Sequence, residues 1–109
     1  IQVLNPWDIK ASDGAMKLNL QNRVGGSIDV TGASVTIDNS LYNYTATGTP
    51  AVTSGSSQIV EFALEVPGSI GGAIVGNSYT ATVTIDYNYT SNGVPSEFSS
   101  TGTISGTYS

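Results

Sequence analysis

Ser78–Thr90, which reads SYTATVTIDYNYT, decides the fold. Its odd positions carry Tyr79, Ala81, Val83, Ile85, Tyr87 and Tyr89; its even positions carry Thr80, Thr82, Thr84, Asp86, Asn88 and Thr90. A period of two belongs to a β-strand, whose successive side chains point to opposite faces. A helix would scatter both sets around its circumference. The residues are also β-branched or aromatic, the types that suit a pleated, half-buried surface. The stretch is therefore expected to be the long central strand of its sheet, spanning about 40 Å at strand rise.

Working outward, the same alternation recurs. In Gln58–Val66, Val60, Phe62, Leu64 and Val66 share one face and Glu61, Ala63 and Glu65 the other; Pro67-Gly68 should end this strand. Ala15–Leu20 sets Met16, Leu18 and Leu20 inward against Lys17 and Asn19 outward, and Asn22–Gly26 follows with turn chemistry. Across Ser27–Asp38 the parity changes, from Ile28 and Val30 to Val35 and Ile37, which predicts a bulge or bend at Gly32. Leu41–Thr47 is a weaker strand. Ser99–Tyr108 puts Gly102, Ile104, Gly106 and Tyr108 on one face, with glycines that suggest a bulky neighbour such as Trp7 or a tyrosine. Gly48–Ser57, Gly68–Asn77 and Ser91–Glu97 read as loops. No helical window stands out. The expectation is one domain over residues 1–109: an all-β, Ig-like antiparallel sandwich of about seven strands. The predicted core is Met16, Leu18, Leu20, Ile28, Val30, Val60, Phe62, Leu64, Val83 and Ile85.

Composition narrows the function. Only 10% of residues are charged, against roughly 25% in an average domain. Three cations against eight acids, a net charge of −5, argue against nucleic acid and anionic lipid as partners. The chain has neither His nor Cys, which removes thiol nucleophiles, His-based triads, the usual zinc sites and disulfides. Ser, Thr, Gly and Asn dominate, with 15, 13, 13 and 8 residues. Uncharged hydroxyl and amide groups keep a surface wet without repulsion between neighbours, which suits an extracellular protein packed among its own copies. The chain begins at Ile1 and shows no signal peptide or apolar run long enough to span a membrane, so it reads as processed or trimmed.

Candidate sites are few, and no catalytic residue, metal or cofactor is expected. Glu61 and Glu65 share a strand face but stand about 13 Å apart, and exposed charge is the ordinary state of such residues. Asp86 with Asn88, and Asp38-Asn39-Ser40, offer oxygens of the kind that calcium takes, without an EF-hand loop; Asx residues in turns more often bond their own backbone. The tyrosines and Trp7 could stack on sugars, yet Tyr79, Tyr87 and Tyr89 share the parity of Val83 and Ile85, so core packing is the simpler reading. Thr80, Thr82 and Thr84 form one row of hydroxyls like those of ice-binding surfaces. With a single clear row, β-propensity on a solvated or neighbour-covered face is the better reading. Asn43-Tyr44-Thr45 and Asn88-Tyr89-Thr90 are N-glycosylation triplets, expected to be exposed at strand ends or loops.

Trp7-Asp8-Ile9 leads into Met16-Lys17-Leu18-Asn19-Leu20-Gln21-Asn22, then Val24-Gly25-Gly26-Ser27-Ile28-Asp29-Val30. Asn77-Ser78-Tyr79 opens the Thr-rich strand, Tyr87 and Tyr89 follow, and Thr101-Gly102-Thr103-Ile104-Ser105-Gly106-Thr107-Tyr108 closes the chain. This series resembles the globular head of archaeal type IV pilin-like proteins, the family made with class III signal peptides. The resemblance implies a β-sandwich head facing outward and a hydrophobic N-terminal helix, missing from this chain, that packs with its copies in a filament core. It also implies an extracellular place in a cell-surface filament, a structural and adhesive role, glycans at Asn43 and Asn88, and no catalytic residue. The isolated head would be a monomer, and surface glycans or abiotic surfaces would be the adhesion targets. The competing expectation is a free-standing carbohydrate-binding or adhesin module of a larger surface protein; an upstream apolar helix or an upstream folded domain would separate the two.

Overall fold

Eight strands make up the computed structural model, which describes residues 1–48, 50–65, 70–91 and 93–109. They are β1 (Gln2–Ile9), β2 (Met16–Gln21), β3 (Ile28–Ile37), β4 (Ser40–Ala46), β5 (Ala51–Val52), β6 (Ser57–Leu64), β7 (Ser78–Ser91) and β8 (Val94–Thr107). Among the described residues there is no helix. All ladders are antiparallel and join the strands into one sheet, in the order β1-β2-β6-β4-β3-β7-β8, with β5 added beside β3. The β4–β6 link is only three rungs, from Tyr44↔Leu64 to Ala46↔Phe62. It hinges two halves, β1-β2-β6 and β4-β3-β7-β8, over a shared core.

The parity change in β3 is a bulge. Val30 pairs with Tyr87 but Gly32 pairs with Asp86, so Thr31 is the extra residue. The bulge lets Ile28 and Val30 before it, and Val35 and Ile37 after it, all point inward and be buried. The β3–β4 connection is a two-residue hairpin, Asp38-Asn39, with φ of 50° and 63°. Both residues are left-handed, as a type I′ turn demands, and Asp and Asn are the side chains that tolerate it best.

Nine of the ten predicted core residues are buried, and Leu64 is half-buried against the cluster. Tyr79 and Tyr87 are buried too, and Tyr89 packs half-buried at the rim. The structure adds β1, β5 and the first third of β8. β1 carries a register shift between Leu4 and Trp7, around Asn5-Pro6, which erases the alternation a sequence reading needs. Val94–Glu97 is strand rather than loop, because it continues the β7 hairpin rung by rung as far as Ser91↔Val94. Pro95 is tolerated there because β8 ends the sheet. β6 stops at Leu64, and its expected terminator, Val66-Pro67-Gly68, lies outside the described residues.

The two sheet ends, β1 and β8, meet along a parallel seam: Ile1 lies beside Ser100, Trp7 beside Ser105 and Ile9 beside Ser109. Ile1 N donates to Ser100 Oγ (3.3 Å), the Trp7 indole Nε1 to the Ser105 carbonyl (3.0 Å) and Ser109 N to the Ile9 carbonyl (3.1 Å). Gly106 makes this close approach possible. A Cβ there would sit 3.1 Å from the Tyr79 hydroxyl and 3.4 Å from Trp7 Nε1, the bulky neighbours its pattern called for.

Candidate interaction surface

The parity that buries Val83 and Ile85 turns Thr80, Thr82 and Thr84 outward, and β8 answers residue for residue. Cross-strand partners on this outer face are Ser78↔Thr107, Thr80↔Ser105, Thr82↔Thr103 and Thr84↔Thr101. On the other side of β7, β3 supplies Thr36 opposite Thr82 and Ser34 opposite Thr84. β4 then adds Leu41 opposite Thr36 and Asn43 opposite Ser34. The single hydroxyl row visible in the sequence is thus one of several neighbouring rows. Two rungs cross four strands: Leu41–Thr36–Thr82–Thr103 and Asn43–Ser34–Thr84–Thr101. No charged side chain stands in either. The Thr84 and Thr101 hydroxyls bond each other at 3.1 Å. Leu41, 63% exposed, is the one aliphatic side chain in these two rungs.

Charge begins at the margins. Asp86 accepts from Ser99 Oγ at 2.9 Å, and the next rung is Asp29–Asn88–Glu97. Asp86, Glu97, Thr31 and Ser99 line a polar concavity of about 520 Å³. Asp86 and Glu97 thus share a surface that the sequence reading, which weighed Glu61 with Glu65, did not pair. Glu65 stands at the junction of the two halves, where its backbone N donates to the Asn43 carbonyl (3.0 Å), and Glu61 stands on the opposite half. There the rung Asp8–Lys17–Glu61 crosses β1, β2 and β6, with Lys17 Nζ 3.5 Å from Glu61 Oε1. Glu65 accepts from the Thr45 hydroxyl at 3.1 Å. The outer surface thus carries charge at one rung of β1-β2-β6, whose other outward rungs, Leu4–Asn19–Ile59 and Gln2–Gln21–Ser57, are uncharged, and no charge over the centre of β3-β7-β8.

Both glycosylation triplets lie within strands, not at the strand ends or loops expected of them. The strand pairing extends further than their polar composition suggests. Asn43 is exposed in the middle of β4, where its Oδ1 lies 3.5 Å from Ser34 Oγ. Asn88 is half-buried in β7, flanked by Asp29 and Glu97. Of the proposed oxygen clusters, Asp38-Asn39 is accounted for by its turn, and among the described residues no three acidic side chains gather closely enough to hold a metal ion.

The tyrosines divide. The Tyr44 hydroxyl is buried and donates to the Gly14 carbonyl at 2.7 Å; burial raises its pKa well above that of a free phenol. Tyr79 packs on Tyr108 with ring centroids 4.9 Å apart, and burial, aided by Asp8 and Tyr108, pushes its pKa up to about 12. Toward the hairpin tip, Phe98 lies 6.0 Å from Tyr87 and 6.5 Å from Tyr89, and is 47% exposed. One polar residue escaped the sequence reading. Asn22 is fully buried, donating through Nδ2 to the Gly26 and Val52 carbonyls (2.9 and 2.8 Å) and accepting from Val24 N (2.8 Å). It pins the β2–β3 connection onto β5; only its place at the head of a Gly-rich turn hinted at this.

In comparisons with known proteins, the chain matches no family model, no curated protein and no solved structure.

Proposed function

We propose that this chain is the head domain of a structural subunit of an archaeal extracellular filament, of the type IV pilin-like class, with a role in surface adhesion. The observation that carries the reading is the uncharged hydroxyl surface over β3, β7 and β8. Copies held at high density repel one another little across such a surface, and it stays wetted by water without charge. The residues quoted for the resemblance fall on β1, β2, β3, β7 and β8, the strands that frame this surface and the seam behind it. Glycans at Asn43 and Asn88 belong to the same reading, as does a place outside the cell.

The test is the natural precursor and its assembly. A short basic leader and about 20 apolar residues upstream of Ile1, enough for a helix of membrane-spanning length, support the proposal. So do filaments from the full-length protein under electron microscopy. A folded domain in that upstream position, or filaments from the 109-residue chain alone, would overturn it.

The second reading, a binding module, has its own observation. Phe98 with Tyr87 and Tyr89 forms a partly exposed aromatic ledge of the kind that stacks on sugar rings. Binding on a glycan array that disappears in Phe98→Ala would favour it.

A further inference from the structure

We infer that the uncharged face centred on Thr82 and Thr103 is a contact between two copies of this chain, each presenting the same face to the other. The inference rests on the filament reading for its biological setting and on the surface chemistry for its geometry. Each copy carries a net charge of −5, so two copies meet most easily where neither brings charge. The rungs Leu41–Thr36–Thr82–Thr103 and Asn43–Ser34–Thr84–Thr101 are that place. The β1-β2-β6 side carries the charged rung Asp8–Lys17–Glu61, and its uncharged rungs, Leu4–Asn19–Ile59 and Gln2–Gln21–Ser57, cross three strands rather than four. A further uncharged patch, Val94 and Phe98 on the end of β8, lies on an edge strand carrying Pro95 and Glu97, which blunt strand-to-strand pairing.

Thr and Ser suit a like-to-like contact. Each hydroxyl both donates and accepts, so an identical partner can always be satisfied. β-Branched side chains also lose little rotamer freedom on docking. Thr methyls and the exposed Leu41 side chain supply apolar area between the hydroxyls. A two-fold axis is the natural symmetry for a self-complementary patch. The size of the face sets the strength. Four strands and two outward residues along each cover about 250 Å² per copy, a third of the roughly 800 Å² per partner of a stable interface. One pair of heads therefore separates readily. Rows of heads fixed along two filaments engage many such faces at once, and multivalency turns a weak contact into lateral bundling. Asn43 ends one of these rungs on β4, so a glycan there would take the β4 margin of the face and leave the contact to β3, β7 and β8.

The test uses the 109-residue chain, so it does not depend on whether filaments form; failure of the filament reading shows separately, in the natural precursor. Amide resonances are followed with rising protein concentration in the wild type, in Thr82→Glu/Thr103→Glu, in Thr82→Lys/Thr103→Lys and in an equimolar mixture of the two variants. Wild-type shifts are expected to concentrate at Ser34, Thr36, Thr82, Thr84, Thr101 and Thr103. Each variant alone should lose them, and the mixture should associate at least tenfold more tightly than either variant. Both changed positions, Thr82 and Thr103, are outward-facing, and thermal unfolding of each variant confirms that it folds. Shifts at Val94–Phe98 instead, no shifts at all, or a mixture no tighter than its components would overturn the inference.

Discussion

Gly32→Ala should destabilise the domain far more than one methyl group ordinarily does. A Cβ at Gly32 would stand 2.6 Å from the Tyr44 carbonyl oxygen and 3.9 Å from Thr45 Cα, where ordinary contact begins at 3.4 Å. Both atoms are backbone, so no rotamer change relieves the clash; β3 and β4 must part. Tyr44 resists, because its hydroxyl is held to Gly14 at the far end of the residue. Overpacking of this kind costs about 2–3 kcal/mol. Against it stands the reduced freedom of Ala in the unfolded chain, worth about 0.4–1 kcal/mol. The net loss is about 2 kcal/mol, a fall of roughly 10 °C in Tm for a domain of this size. Gly102→Ala is the control. Gly102 also sits within a strand, but a Cβ there would meet nothing within 4 Å, so its Tm should hold or rise. Thermal unfolding by circular dichroism compares the two. A Gly32→Ala midpoint within about 2 °C of wild type, or equal losses in both variants, would refute the steric account of the bulge.

Val83→Asp buries an unpaired carboxylate in a fully enclosed site between Val35 and Gly102. It should cost several kcal/mol of a total margin of about 5–15 and abolish cooperative unfolding; a wild-type melt would place Val83 outside the core. Tyr79 makes stability fall in alkali. Its folded pKa of about 12 exceeds the unfolded value near 10, so the neutral ring's contribution is complete below the unfolded pKa and is lost as pH climbs from there through the folded one. Tyr79→Phe should flatten that decline in urea midpoints measured across the range, and an unchanged slope would assign it to other groups. Native protein should carry glycan at Asn43 more fully than at Asn88, since Asn43 is exposed and Asn88 half-buried; an intact mass equal to the bare polypeptide removes both sites.

What the sequence revealed, and what it hid, follows from where the period of two survives. It survives in β2, β6 and β7, where one face is core and the other is water, so Leu18, Phe62 and Val83 were legible as interior. It breaks visibly in β3, and the break itself disclosed the bulge. It fails in β1, because Asn5 and Pro6 interrupt the register, and at the start of β8, where Val94, Ser96 and Phe98 keep the inward parity but have no strand opposite to bury them. Buried Asn22 was hidden for another reason. Its three hydrogen bonds reach the Gly26 and Val52 carbonyls and Val24 N, and the partner on β5 is set by tertiary pairing alone. The candidate surface was half legible. The β7 row could be read, but its width could not, because register across β4, β3, β7 and β8 has no local signature in any one strand.

The same alternation governs stability and surface together. Every inward residue of β7 from Tyr79 to Ile85 fixes an outward Thr beside it, and a one-residue slip against β8 would bury the hydroxyls and expose the core. The uncharged face therefore cannot drift while the core stays packed. Its presence, however, is not required by the core. Lys or Glu at Thr82 or Thr103 would leave Val83 and Ile104 as buried as before, and the β1-β2-β6 half of this sheet does place Lys17 and Glu61 at equivalent outward positions. Strand propensity explains why β-branched residues fill the outward positions of β7. It does not explain why two successive rungs across four strands hold no charge, when Asp8–Lys17–Glu61 stands on one half of the sheet and Asp29–Asn88–Glu97 on the other, since both halves face water and obey the same propensities. An identical face on a neighbouring copy is the cause we propose for that gap in the charge.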